Sequence, residues 1–308
     1  MSDYNRVIQS LAVQFIKARH IKLLQALTIK NFYDVENMLI LLNKGQISYT
    51  QDGEQYEVAP GEILFIPGGQ STTITYGDNN PVDLNNAYLT DNRWKYFEAM
   101  QAPALEAQFE NFSYITFDAK VFNAVNLFAS LGVPPFVIKD NERLSDTLKS
   151  MLIESSTEAV GSDRMIKVHT EQLVIEIVRH IIANNLFIEK MVTNSNYFKD
   201  PRLINIFNYI KDNLGGDLSN QMLATVAHVS KDYVGQYFKT LTRVSLQDYI
   251  EYQRMEYAVK LLRTTKKSIY DIGKEVGFRD TAYFCRRFKM MFGTPAIKMR
   301  KRETLMNI

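Results

Sequence analysis

Gln236 and Arg286 stand fifty positions apart, and both are residue types that can read bases. A glutamine amide pairs bidentately with adenine and a guanidinium with guanine, each worth about 1–3 kcal/mol of discrimination. Similar companions surround each one. Lys231, Asp232 and Lys239 lie near Gln236, and Thr281, Cys285 and Lys289 lie near Arg286. Lys239, Lys289 and Arg243 fall toward helix ends, where a cation meets phosphate and positions without specifying. Catalytic chemistry is poorly provided for. The chain has no Ser-His-Asp spacing, no Gly-rich phosphate loop and no carboxylates paired in a turn. Its four histidines are His20, His169, His180 and His228. They do not converge as a metal site requires. His169 and His180, about three turns apart on one predicted helix, are too distant to share an ion. No catalytic residue, metal or cofactor is expected.

The stretch that must position these residues runs from Leu218 to Pro295 and matches itself at a shift of fifty without a gap. Val226 falls on Val276, Ser230 on Asp280, Tyr233 on Tyr283, Phe238 on Phe288 and Lys239 on Lys289. Each copy reads as a short apolar helix, a tight turn, a capping residue (Ser230 or Asp280) and a second helix. That is a helix-turn-helix, whose second helix can enter the major groove. A solenoid is the competing reading, but stacking needs at least three repeats. Val234, Tyr237 and Phe238 should form the buried face of the first reading helix, and Phe284, Phe288 and Met291 that of the second. Tyr233 and Tyr283 can either stack on sugars or sit in the core with a wet hydroxyl, and the core reading is preferred. Arg287 stands where the first copy has Tyr237, so it should snorkel or touch backbone. Cys285 can be a reactive thiol, but only Arg286 is near to lower its pKa, so a passive role is expected. Between the copies, Leu246 to Arg263 reads as a helix of roughly 26 Å, a strut that would hold two heads in adjacent major-groove windows.

The charge distribution agrees. Residues 200–308 hold 19 Lys and Arg against 11 Asp and Glu, a net +8, while residues 1–199 carry 17 against 23, a net −6. A basic third beside an acidic remainder is the footprint of a nucleic-acid-binding domain joined to something else. The length of 308 residues suggests two domains. The single cysteine fits a reducing compartment, and no apolar run is long enough to span a membrane. A cytoplasmic location is expected.

Residues 3–19 read as a short helix or arm, since Val7, Leu11 and Phe15 recur every four positions. From Ile21 to about Phe122 the pattern becomes strand-like: Met38–Leu42, Gln46–Thr50, Tyr56–Val58, Ile63–Ile66, Thr72–Tyr76 and Ser113–Phe117. Gln46–Val58 reads as a hairpin turning through Asp52-Gly53. Many short strands at this spacing predict a sandwich or small barrel. Leu39, Leu41, Ile47, Tyr49, Leu64, Ile66 and Ile74 would line its interior, as pocket or as core. Arg93, Trp94 and Tyr96 are candidates for polar lining. Beyond Pro134-Pro135, two helices follow. One has a face of Leu144, Leu148, Met151 and Leu152, and the other runs from near Ser162 toward Asn185. Either can pack on the sheets, and one can carry a dimer contact. Polar residues 191–199 read as a linker, and Asp200-Pro201 opens a further helix.

From Leu218 to Arg302 the sequence resembles the DNA-binding domain of AraC/XylS-type transcription regulators. The matching residues are Val229-Ser230, Phe238-Lys239, Arg254 with Ala258 and Leu261-Leu262, Ile269 with Ile272, Val276-Gly277-Phe278, Asp280, Tyr283-Phe284, Phe288-Lys289 and Phe292-Gly293-Thr294-Pro295. Gly273 departs from the family's usual Ala, and Ala282 from a common Ser. The N-terminal part looks like the cupin-type sensing domain of such regulators, through Gly45, Gly53, Pro60-Gly61-Glu62 and Ile66-Pro67. The resemblance implies an α+β chain. Residues 1–190 would form a cupin-like β-barrel with a helical pair, for sensing or dimerisation. Residues 191–199 would be a linker, and residues 200–308 an all-α domain with two helix-turn-helix units. It further implies a bacterial regulator that binds double-stranded promoter DNA, with base readers at Gln236, Thr281 and Arg286. RNA polymerase, a small-molecule effector and a second copy of the chain are the other implied partners. Two alternatives stay open. One is an architectural DNA binder without ligand input. The other is a cupin-type enzyme with a DNA-targeting domain, which lacks the metal ligands such an enzyme needs.

Overall fold

The computed structural model describes residues 5, 8–101, 108–121, 125–157, 159–187, 200–242 and 244–300. They divide into two compact units. One lies within Ala12–Ala119 and Val133–Ile188, the other within Met1–Leu11, Lys120–Gly132 and Glu189–Thr304. The expected linker, 191–199, falls outside the described residues, as does Arg243.

The first unit is built on strands β1 Leu11–Leu23, β2 Leu27–Tyr33, β3 Asn37–Lys44, β4 Ile47–Gln51, β5 Glu54–Val58, β6 Ile63–Ile66, β7 Ser71–Tyr76 and β8 Val82–Leu84. A short helix α1 Asn86–Asn92 follows, then β9 Phe97–Met100, β10 Asn111–Val121 and β12 Phe136–Ile138, while β11 Val125–Asn126 and helix α2 Leu127–Ser130, which precede β12 in the chain, fall in the second unit. Two sheets result, ordered β12-β6-β3-β10-β1-β9 (with β11 on β10) and β5-β4-β7-β2-β8. The β4–β5 hairpin turns where expected. Gln51 pairs with Glu54, and Asp52 and Gly53 both take positive φ, as a two-residue turn between twisted strands requires.

One apolar core draws on both sheets, including Met38, Ile40 and Leu42 of one with Ile47, Tyr49, Ile74 and Tyr76 of the other. Strand alternation corrects the expected lining here. Leu39 and Leu41 are buried, but they sit on the opposite face of β3 from Ile40, outside this core. Trp94 does not line the interior either. It is 66% exposed, with the Lys95 ammonium 5.4 Å from its ring.

Of residues 3–19, expected to form a short helix or an arm, those from Leu11 onward belong to a thirteen-residue strand that runs to Leu23. The four-residue apolar spacing lost to tertiary pairing, because β1 lies between β10 and β9 in its sheet. His20 on this strand is buried and bonded to the Ser113 hydroxyl at 2.7 Å, and burial pushes its imidazole pKa down. Helices α3 Glu142–Ser156 and α4 Ser162–Ala183 follow β12 and pack on one another. Leu144, Leu148, Met151 and Leu152 are buried on α3, as are Leu173, Val174, Ile177, Val178 and Ile181 on α4. Ile153 of α3, Val160 between the two helices, and Met165 and Val168 of α4 are exposed.

The second unit carries helices α5 Pro201–Asp212, α6 Asn220–Ala227, α7 Lys231–Thr242, α8 Leu246–Thr264, α9 Ile269–Glu275, α10 Thr281–Phe292 and α11 Ala296–Met299. Side-chain oxygens of Asp200, Ser219, Ser245, Ser268 and Asp280 accept from backbone amides in the first turns of α5, α6, α8, α9 and α10. Each satisfies a donor that the helix itself leaves open. Phe207, Phe238 and Tyr249 join α5, α7 and α8 with ring centroids 5.2–5.7 Å apart.

Candidate nucleic-acid interface

The two second helices, α7 and α10, begin and end at positions offset by fifty in the chain. Their buried faces explain why each helix sits as it does. On α7, Val234, Tyr237 and Phe238 are buried as expected. On α10 the buried set is Phe284, Phe288 and Phe292, with Met291 only half-buried. A stripe stepping by four keeps the Phe292 ring against that of Phe288, centroids 4.5 Å apart and planes tilted by 50°, whereas Met291 is rotated toward the flank.

The opposite faces carry the nominated residues. Lys231, Asp232, Gln236 and Lys239 are exposed on α7. On α10, Arg286 and Lys289 are exposed, and Thr281 and Cys285 are half-buried. Among the described residues, no hydrogen bond or ion pair holds Lys231, Lys239, Arg286 or Lys289. The Gln236 amide rests on the Thr240 hydroxyl at 3.2 Å, one turn along the same helix. Asp232, in the first turn of α7, suits the positive end of the helix. Cys285 is a free thiol.

Three side chains behave differently from expectation. Tyr233 and Tyr283 are 52% and 44% exposed, so neither is a core residue. Both stand at the third position of their helix, on its accessible side. Arg287 neither snorkels nor touches backbone. Its Nε bonds the Glu251 carboxylate of α8, which raises its pKa and ties the strut to the second head.

The turns also differ between copies. In the first, His228 takes the left-handed conformation (φ 53°) and two residues separate it from α7. In the second, Gly277 takes it (φ 91°) and three residues separate it from α10. The Arg254 Nε donates to the Leu214 carbonyl at 2.9 Å, and its guanidinium lies 6.0 Å from the Phe278 ring. The middle of α8 therefore grips the loop before α6 and the turn before α10 together.

Between these parts lies a cleft of about 790 Å³, lined by residues that include Asp217, Ser219, Arg254, Lys274, Arg279 and Thr281. Lys274 and Arg279 were not nominated from sequence. The +8 excess of residues 200–308 was the available signal, but it does not say which cations share a wall. Among the described residues, no three His, Cys, Asp or Glu side chains converge as metal ligands, and no helix is long and apolar enough to cross a membrane.

Comparison with known proteins agrees with this geometry. A helix-turn-helix domain family matches residues 223–302. The arabinose operon regulatory protein of Salmonella typhimurium is 26% identical over 268 residues, covering 85% of this chain and 83% of that protein. The regulatory protein SoxS of Escherichia coli is 32% identical over 84 residues, which are 27% of this chain and 78% of SoxS. The fold is similar to that of ToxT from Vibrio cholerae in complex with (E)-4-(8-methylnaphthalen-1-yl)but-3-enoic acid. The TM-score is 0.54 at 13% identity, over 96% of this chain and 100% of that one. The arabinose operon protein and SoxS are named as regulatory proteins, and the chain belongs to the AraC/XylS-type family of DNA-binding transcription regulators.

Proposed function

We propose that α7 and α10 read adjacent major-groove windows of promoter DNA. Gln236, Thr281 and Arg286 would face base edges, with Lys231, Lys239 and Lys289 on phosphates. Asp232 and Cys285 lie at the same contact surface. Tyr233 and Tyr283 join them as a matched pair reaching the sugar-phosphate backbone. The observation that carries this reading is the fifty-residue offset between two helices whose free cations share equivalent faces. The nineteen residues of α8 span roughly 28 Å, a length that suits heads held about one helical turn of B-DNA apart.

In the same reading, residues 1–190 sense a signal and contact a second copy, 191–199 link, and 200–308 bind DNA. The exposed side of the α3–α4 pair is the surface offered for the homodimer. A small, largely apolar effector suits the unit's apolar core, in keeping with the naphthalenyl acid held by ToxT. Such an effector acts only by binding one arrangement of the protein better than another. RNA polymerase is the remaining partner, and the cytoplasm the compartment.

The test is selection of genomic fragments by the purified full chain at two salt concentrations, followed by sequencing. A recurrent motif in two halves about one helical turn apart is expected. Retention that is sequence-blind and vanishes at the higher salt would instead favour an architectural binder.

A further inference from the structure

We propose that the cleft between the two helix-turn-helix units seats a phosphate of the DNA backbone, at the strand that crosses between the two major-groove windows. This rests on the two-headed reading above. The cleft reaches Thr281, the first residue of α10, and Ser219, the cap of α6, so it is continuous with the side that presents the second reading helix. Three cations line it, Arg254, Lys274 and Arg279, against one carboxylate, Asp217, giving a net +2. Lys274 and Arg279 are exposed, and among the described residues no hydrogen bond or ion pair holds either side chain. Asp217 spends its carboxylate on the Ser219 amide at 2.9 Å, which lowers its pKa.

Arg254 gives the cleft a charged floor. It is half-buried, among the described residues its side chain hydrogen-bonds only a backbone carbonyl, and burial pushes its pKa down. A desolvated cation whose guanidinium donates to a neutral carbonyl is stabilised by an arriving anion. A duplex spanning both heads brings such an anion, because a backbone strand separates successive major-groove faces. A phosphorylated small molecule has the same recognisable group, so the test separates the two sources.

The experiment uses the full chain, the variants Lys274→Ala and Arg279→Ala, and their double. Duplexes carry the selected motif, with one phosphate at a time between its halves replaced by neutral methylphosphonate. Each lost cation should make the log affinity against log salt slope shallower by about 0.9, with base preference unchanged. One or two methylphosphonate positions should weaken the wild type and leave the double variant unaffected. An unchanged slope, or equal sensitivity of the double variant to those positions, would overturn the proposal, as would altered base preference. Pyrophosphate is titrated in parallel into DNA-free protein at constant ionic strength. Saturable binding lost in the double variant, together with an unmoved DNA slope, would assign the cleft to a free phosphorylated ligand and overturn the DNA assignment. A wild type without sequence preference would sink the two-headed reading itself. Failure of the cleft alone leaves that preference standing and only the slope unmoved.

Discussion

The Arg254 guanidinium occupies the space that a side chain on Gly277 would need. A methyl group there would stand 2.7 Å from Arg254 Cζ and 2.7 Å from the Leu214 carbonyl oxygen. That carbonyl is also the acceptor for Arg254 Nε. The turn of the second helix-turn-helix, the strut helix and the loop before α6 therefore meet at one glycine.

Gly277→Ala should accordingly be severe. The left-handed backbone costs an alanine about 1–2 kcal/mol, and displacing a backbone carbonyl and a half-buried guanidinium adds about 1–3 kcal/mol. A total near 3 kcal/mol is expected from urea unfolding of the full chain, with DNA affinity falling in parallel. A loss below about 1 kcal/mol would mean that the contact relaxes freely.

Gly273 predicts the opposite sign. It is buried in α9 with helical backbone, and a methyl group there would touch Phe284 Cδ1 at 3.4 Å, an ordinary contact. Gly273→Ala should stabilise by about 0.5–1 kcal/mol through helix propensity. For a domain of this size that is a rise of roughly 4–8 °C per kcal/mol in the melting temperature of the helical unit. A lower melting temperature would show that Phe284 cannot accommodate the methyl.

The helical unit was largely legible in the sequence, because each local signal agreed with the fold. The Asp200-Pro201 start, the Ser and Asp caps and the fifty-residue repeat all fix backbone through contacts a few residues apart. The misjudged positions depend on partners far away in sequence. Val7, Leu11 and Phe15 have helical spacing, yet Leu11–Leu23 is a strand held by pairing with residues more than seventy positions on, such as His20 with Met100. Leu39 and Leu41 look like any interior strand residues until register assigns the two faces of β3. Arg287 could be read only as a basic residue in an apolar place, since its partner Glu251 belongs to a different helix. Lys274 and Arg279 become neighbours of Arg254 through tertiary packing alone.

Asp200 gives the helical unit a pH dependence. Arg202 holds its carboxylate with two side-chain bonds of 3.1 and 2.9 Å and a backbone bond of 3.0 Å. These bring its pKa down to about 2, from an ordinary 3.8. A depressed folded value means the stabilisation is fully present above 3.8 and is lost as pH falls through about 2. Asp200→Asn keeps a capping oxygen and removes the charge. It should flatten the stability profile in that window and change stability at neutral pH by less than about 1 kcal/mol, as an exposed pair warrants. Unfolding midpoints measured across the window check this. An unaltered profile would assign the acid sensitivity to other carboxylates.

Arg287 and Glu251 should couple the strut to the second head. Both side chains are partly exposed, at 33% and 20%, so the pair is expected to contribute on the order of 0.5–1 kcal/mol. A double-mutant cycle with Arg287→Ala and Glu251→Ala isolates that value. DNA binding gives a second readout. Loosening α10 against α8 should reduce affinity for a two-part site more than for an isolated half-site. Equal losses on both would mean the pair does not set the spacing of the heads.

Arg286 and Lys289 lie three residues apart on one face of α10, yet they should fail differently. Arg286 stands midway along the helix, where a guanidinium meets base edges. Lys289 lies in the last turn, nearer the level of the backbone. Arg286→Ala should cost about 1–3 kcal/mol on the preferred sequence and relax preference at one base pair, while substituted sites lose little. Lys289→Ala should weaken binding to every sequence alike and make the salt slope shallower by about one. Competition binding against a library of single-base variants, at two salt concentrations, separates the outcomes. If Lys289→Ala shifts base preference and Arg286→Ala moves only the slope, the helix enters the groove rotated from the orientation proposed here. Cys285 and Thr281 would then be reassigned with them.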